Sequence, residues 1–98
     1  MQMYDDQTEE LLGHLVDVSQ KGFKMDSKKQ IPAGRDYRLR MDLIGEISGR
    51  PFIVFTARSK WCQTDPMDPF IFNVGFEITG MNQADAAIYK QIVEKYGS

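Results

Sequence analysis

The chain has one cysteine and one histidine, and no arginine precedes Arg35. A lone cysteine, Cys62, excludes an internal disulfide and fits a reducing compartment. It has no histidine near it in sequence, so it reads as a buried, inert thiol. His14 has no second imidazole to share a metal with, and there is no Cys-x-x-Cys. It reads as a structural strand residue. Ser19 has Asp17 beside it but no evident base, and no glycine-rich phosphate loop is present. These absences argue against an enzyme, a metal site or a resident cofactor. A basic balance is lacking too: the net charge is −2 and the pI is near 5.3. That disfavours a DNA or RNA binder, and leaves a small nucleic-acid-binding barrel as the weakest alternative. No apolar run approaches a membrane span, and the N-terminus lacks a basic-then-apolar signal pattern. The chain therefore reads as cytoplasmic, with no membrane insertion.

What is present suffices for one domain: 98 residues, 42% of them hydrophobic. Residues 1–10 are polar, with Asp5, Asp6, Glu9 and Glu10, and read as a solvated acidic arm. Residues 11–98 read as the folded domain. A first strand is expected over 11–18, with its buried face undecided, and a short one over 22–25. Ile31-Pro32-Ala33-Gly34 is a turn signal. From 36 to 44, Tyr37, Leu39, Met41 and Leu43 alternate with Arg38, Arg40 and Asp42. A period of two means one buried face and one wet face. Residues 45–51 hold two glycines and a proline and should close a hairpin.

The segment 52–62 is long for one strand, and a bend near Ala57 is expected to split it. Its first half is apolar on both parities, as where a strand is covered on both sides. Asp65-Pro66 and Asp68-Pro69 mark a loop. Phe70, Phe72, Val74, Phe76 and Ile78 then share a face, with Gly75 opposite, open to close approach. Phe52, Phe55, Trp61, Phe70, Phe72 and Phe76 are all assigned to the core rather than to base stacking. Asn82 reads as an N-cap with Asp85 three residues on. Ala84, Ile88, Ile92 and Tyr96, with Ala87 and Val93, form one apolar stripe, and Gly97 is a plausible stop. The expected fold is mainly β: a small antiparallel barrel of five or six strands with one C-terminal helix.

The stretch around Asp17, Ser19 and Gly22 organises the chain. Asp and Ser side chains can bond to nearby backbone and favour a turn. Gly22 is expected at φ > 0. The reading is a strand, a tight polar corner and a returning strand, with a carboxylate and a hydroxyl at a rigid strand end.

These residues resemble the Asp/Asn-x-Ser-x-x-Gly signature of the PilZ domain, a bacterial receptor domain for cyclic di-GMP. Ala57-Arg58-Ser59-Lys60-Trp61, then Val74-Gly75-Phe76-Glu77-Ile78, then a C-terminal helix follow the PilZ order, from roughly Gly13 to Tyr96. The resemblance implies a barrel with a helix and a guanine edge held by Asp17 and Ser19, with Gly22 permitting the turn. It implies a second motif, Arg-x-x-x-Arg, on an upstream arm. That motif is absent: Asp5, Asp6, Glu9 and Glu10 stand in its place, and 16 residues precede Asp17. Three explanations stay open. The domain has lost its ligand, or the arm lies before Met1, or Lys21, Arg35, Arg38 or Arg40 supply the phosphate contacts. The resemblance implies a cyclic di-GMP signalling domain acting through a protein partner, with weak or absent direct binding. The alternative is a nucleotide-independent adaptor in type IV pilus or motility assembly.

Overall fold

In the computed structural model, which describes residues 1–43 and 49–97, six antiparallel strands close into a barrel. The strands are β1 (Gln2–Asp5), β2 (Leu11–Val18), β3 (Gly22–Ser27), β4 (Asp36–Asp42), β5 (Phe52–Thr64) and β6 (Phe72–Gly80). One helix, α1 (Gln83–Tyr96), follows. Around the barrel the order is β1-β2-β3-β6-β5-β4, and β4 returns to β1. The mainly β barrel with one C-terminal helix is as expected.

The solvated arm is not what residues 2–5 form. They are a strand that pairs with both β2 and β4 and closes the barrel. Met3 is fully buried, and this one apolar side chain anchors the strand. The acidic residues that suggested an arm find partners within the fold. The Asp5 carboxylate accepts from the Gln7 and Thr8 backbone N–H groups, making the turn. Asp6 pairs with Arg38 at 2.9 Å, Glu10 with Lys29 at 2.8 Å and Glu9 with Arg40 at 4.0 Å.

Elsewhere alternation translates into burial. Leu39 and Met41 are fully buried on β4 and Ile53, Phe55, Ala57 and Ser59 on β5. On β2 the pairing slips opposite Met3 and Tyr4, and again between Leu15 and Asp17. Each slip flips the alternation, which is why neither parity of β2 was cleanly apolar. β5 is one strand of 13 residues, not two. The expected bend near Ala57 is absorbed by register shifts at Thr56/Ala57 and Ser59/Trp61, which add curvature without ending the pairing to β6. The turn at Pro32 and Gly34 forms, with Gly34 at φ +82° and its N–H donating to the Ser59 carbonyl. Residues 44–48 of the expected hairpin over 45–51 lie outside the described residues. Beyond them the Leu43 N–H donates to the Pro51 carbonyl at 2.9 Å.

Three aromatics assigned to the core are on the surface: Phe70 is 81% exposed, Trp61 40% and Phe52 38%. Phe70 sits in the β5–β6 loop, before β6 begins, so its parity never placed it inside. α1 starts as expected, with the Asn82 side chain accepting from the Asp85 N–H at 2.8 Å. Its buried face differs from the expected stripe. Asp85, Ile88, Tyr89 and Ile92 face the barrel, whereas Ala84, Ala87 and Tyr96 are exposed. The buried face is turned toward Asp85 and Tyr89, and the inward Asp85 accepts from the Val54 N–H and meets Arg50 at 2.6 Å. Gly97 ends the helix, its N–H donating to Val93, but with φ −76° rather than a left-handed conformation.

Candidate functional site

The corner between β2 and β3 is built by its own side chains. The Ser19 N–H donates to the Gly22 carbonyl at 2.8 Å and the Ser19 hydroxyl to the same oxygen at 3.2 Å. The Asp17 carboxylate accepts from the Val18 N–H at 3.0 Å. These bonds hold the backbone while Asp17 and Ser19 remain exposed. On one side β6 supports the corner, with the Ile78 N–H donating to the Lys21 carbonyl at 2.9 Å. On the other side α1 supports it, with the Tyr89 hydroxyl 2.7 Å from the Ser19 carbonyl and 2.9 Å from that of Gly22.

Gly22 is not at φ > 0; among the described glycines only Gly34 is. Its reason is contact. A β-carbon there would overlap the Phe76 carbonyl of the neighbouring strand. The corner turns before Gly22, and Gly22 is the point where β3 meets β6.

An open groove of about 390 Å³ runs from this corner across β3, β6 and β5. Asp17, Ser19, Lys21, Gly22 and Lys24 line it from the β2–β3 side, Gly75 and Glu77 from β6, and Lys60 and Trp61 from β5. Trp61 pairs with Gly75, and a side chain at 75 would overlap the indole. The close approach expected at Gly75 is thus made by Trp61, which stays 40% exposed above it. Of the expected phosphate contacts, Lys21 alone lines the groove. Arg35 and Arg38 line a separate recess with Asp5 and Tyr37, and Arg38 is paired with Asp6. Arg40 lies over the Tyr4 ring at 4.5 Å and pairs with Asp42 at 3.2 Å. Lys24, Lys60, Trp61 and Glu77 were missed as site residues. Only the strand order brings them to the corner. Among the described residues, no cluster of three His, Cys, Asp or Glu could hold a metal ion, and no helix is long and apolar enough to cross a membrane.

Under the groove, the Phe23 and Phe76 rings stack at 5.1 Å and Phe55 meets Phe23 edge-on at 5.7 Å. Tyr89 packs against Phe55 at 6.4 Å and is 5% exposed. Burial pushes its phenol from 10.0 up to about 12. Between those values the unfolded chain ionises Tyr89 and the folded one does not, so stability is lost as pH rises. Below about pH 10 this contribution is constant. Unfolding free energies of the wild type and Tyr89→Phe, compared from pH 9 to 12, should show the wild type losing roughly 2–3 kcal/mol relative to the variant over the alkaline range. Parallel curves would show that Tyr89 ionises alike in both states.

A family model described as the PilZ domain matches residues 2–95. Neither the curated proteins nor the solved structures contain a match to this chain.

Proposed function

The chain belongs to the PilZ domain family, a family of cyclic di-GMP receptor domains rather than catalysts, and on that premise we propose a signalling domain that acts through a protein partner in the cytoplasm. In this reading Asp17 and Ser19 hold a guanine edge and Gly22 keeps the corner close to β6. Lys21, Lys24 and Lys60 meet the phosphates, and Trp61 offers a face to a base. No catalytic role is assigned.

The observation that carries the reading is the groove's charge. Among the described residues, three lysines and two carboxylates line it, and no arginine does. A lysine is a flexible point charge and cannot make the forked, stacked contact of a guanidinium. Hydrogen bonds at the corner exchange with water and contribute only about 0.5–1.5 kcal/mol each, or about 1.5–3 kcal/mol where the Asp17 carboxylate accepts. Direct binding of cyclic di-GMP by this chain should therefore be weak, with a dissociation constant above roughly 100 μM, or weaker than about −5.5 kcal/mol. Isothermal titration at moderate salt, with Asp17→Ala and Ser19→Ala alongside, measures this. Tight, saturable binding lost in both variants would overturn it and would require cations from Arg35, Arg38, Arg40 or a second chain.

One observation favours a nucleotide-independent adaptor, as in pilus or motility assembly. The carbonyls of Ser19, Lys21 and Gly22 are all bonded within the chain, by Tyr89 and Ile78. On that reading, millimolar cyclic di-GMP leaves the corner's amide resonances unmoved.

A further inference from the structure

α1 sends one polar group into the layer it buries against the signature corner. The Tyr89 ring packs among aromatics, and its hydroxyl reaches the carbonyls of Ser19 and Gly22 at 2.7 and 2.9 Å. A buried tyrosine hydroxyl needs a partner, and one carbonyl would satisfy it. Here two carbonyls converge on it, from the two ends of the loop formed by Gln20 and Lys21. The hydroxyl has one proton, so it holds both ends by sharing it.

The Gly22 carbonyl is oversubscribed. It receives the Ser19 N–H at 2.8 Å, the Ser19 hydroxyl at 3.2 Å and the Tyr89 hydroxyl at 2.9 Å. A carbonyl has two lone pairs. The backbone bond closes the hairpin and is the shortest of the three. The two hydroxyls are therefore rivals for the remaining lone pair. Ser19 is exposed at the groove, and Tyr89 is buried in the helix packing. Whatever accepts the Ser19 proton from outside leaves the Gly22 carbonyl to Tyr89.

We infer that Tyr89 is the positioning residue of the corner, and that the shared Gly22 carbonyl connects the Ser19 hydroxyl to the middle of α1. The direction follows from the rivalry. An acceptor bound at Ser19 strengthens the Tyr89–Gly22 bond and tightens α1 on the corner. By linkage, strengthening that bond frees the Ser19 hydroxyl for an acceptor. The coupling is local, because Asp85, Ile88 and Ile92 hold the helix independently. That the acceptor is a nucleotide rests on the function proposed above; the clamp itself does not.

The test is amide exchange and tyrosine-ring NMR on the whole chain without ligand, in the wild type, Tyr89→Phe and Ser19→Ala. Tyr89→Phe keeps the ring and its packing. It should speed exchange of the Ser19 and Ile78 amides roughly tenfold, the size of one lost net hydrogen bond, relative to the β4–β5 ladder. Equal acceleration throughout, or none at the corner, would overturn the positioning role. Ser19→Ala keeps the hairpin's backbone bond and removes the rival donor. It should shift the Tyr89 ring resonances, and unmoved resonances would overturn the connection. Adding millimolar cyclic di-GMP to the wild type should shift those resonances in the same direction. If both variants behave as expected but cyclic di-GMP moves nothing from Gln20 to Phe23, the clamp stands and the nucleotide reading of the site fails.

Discussion

Replacing Ile92 with alanine is expected to destabilise the protein by about 2–5 kcal/mol, the usual range for emptying a packed core position. Ile92 is fully buried at the end of the stripe that begins at Asp85, one turn past Ile88 and three residues past Tyr89. It joins α1 to the same core that contains Phe23, Phe55 and Phe76. Cutting it back to a methyl leaves a cavity that strands of a closed barrel cannot collapse to fill. The observed rotation of the helix supplies the control. Ala87 is exposed, so Ala87→Lys should change stability by no more than about 0.5 kcal/mol. Urea denaturation of both variants decides the matter. A small loss for Ile92→Ala with a large one for Ala87→Lys would place the other face of the helix against the barrel.

Replacing Gly22 with valine should cost about 3 kcal/mol, the upper end for overpacking. The cause is the approach of β6: the first carbon of any side chain would meet the Phe76 carbonyl, with the Glu77 Cα close behind. Both obstacles are backbone, and both belong to a strand held between β3 and β5. Neither can rotate away as a side chain would. Alanine should therefore cost nearly as much as valine, and asparagine should bring no relief. Asparagine tolerates positive φ, so a mild Gly22→Asn beside a severe Gly22→Ala would restore the left-handed explanation. Thermal and urea denaturation of the three variants separate the cases. Because Gly22 also lines the groove, amide shifts along the paired β3 and β6 residues, from Gly22 opposite Glu77 to Ser27 opposite Phe72, would report in the surviving variants how far β3 moves from β6.

Several features of this protein were decided locally and could be read from the chain. Leu39 and Met41 alternate with arginines because a half-buried strand has a period of two. Asn82 caps α1 because its side chain can reach the Asp85 N–H from the preceding residue positions. The corner at Asp17 and Ser19 forms from bonds that span three residues or fewer. Gly75 opposite an aromatic-rich face anticipated a close neighbour, and Trp61 fills that place.

Other features depended on which distant residues became neighbours. Closure by β1 has Met3 as its one fully buried apolar side chain and rests also on backbone bonds to β2 and β4, which carry no side-chain signature. The acidic run from Asp5 to Glu10 looked solvated until Arg38, Arg40 and Lys29 came within reach across the barrel. The groove residues Lys24, Lys60, Trp61 and Glu77 come from three strands, and only the β3-β6-β5 order sets them beside Asp17 and Ser19. Tyr89 escaped the reading of α1 for the same reason: a tyrosine is judged buried or exposed by what its hydroxyl can bond. Its acceptors lie 70 and 67 residues earlier in the chain. Periodicity and capping act over a few residues and are written in the sequence. Barrel closure, the contact that excludes a side chain at Gly22 and the partners of Tyr89 arise only when strands far apart in sequence are brought within a hydrogen bond of each other.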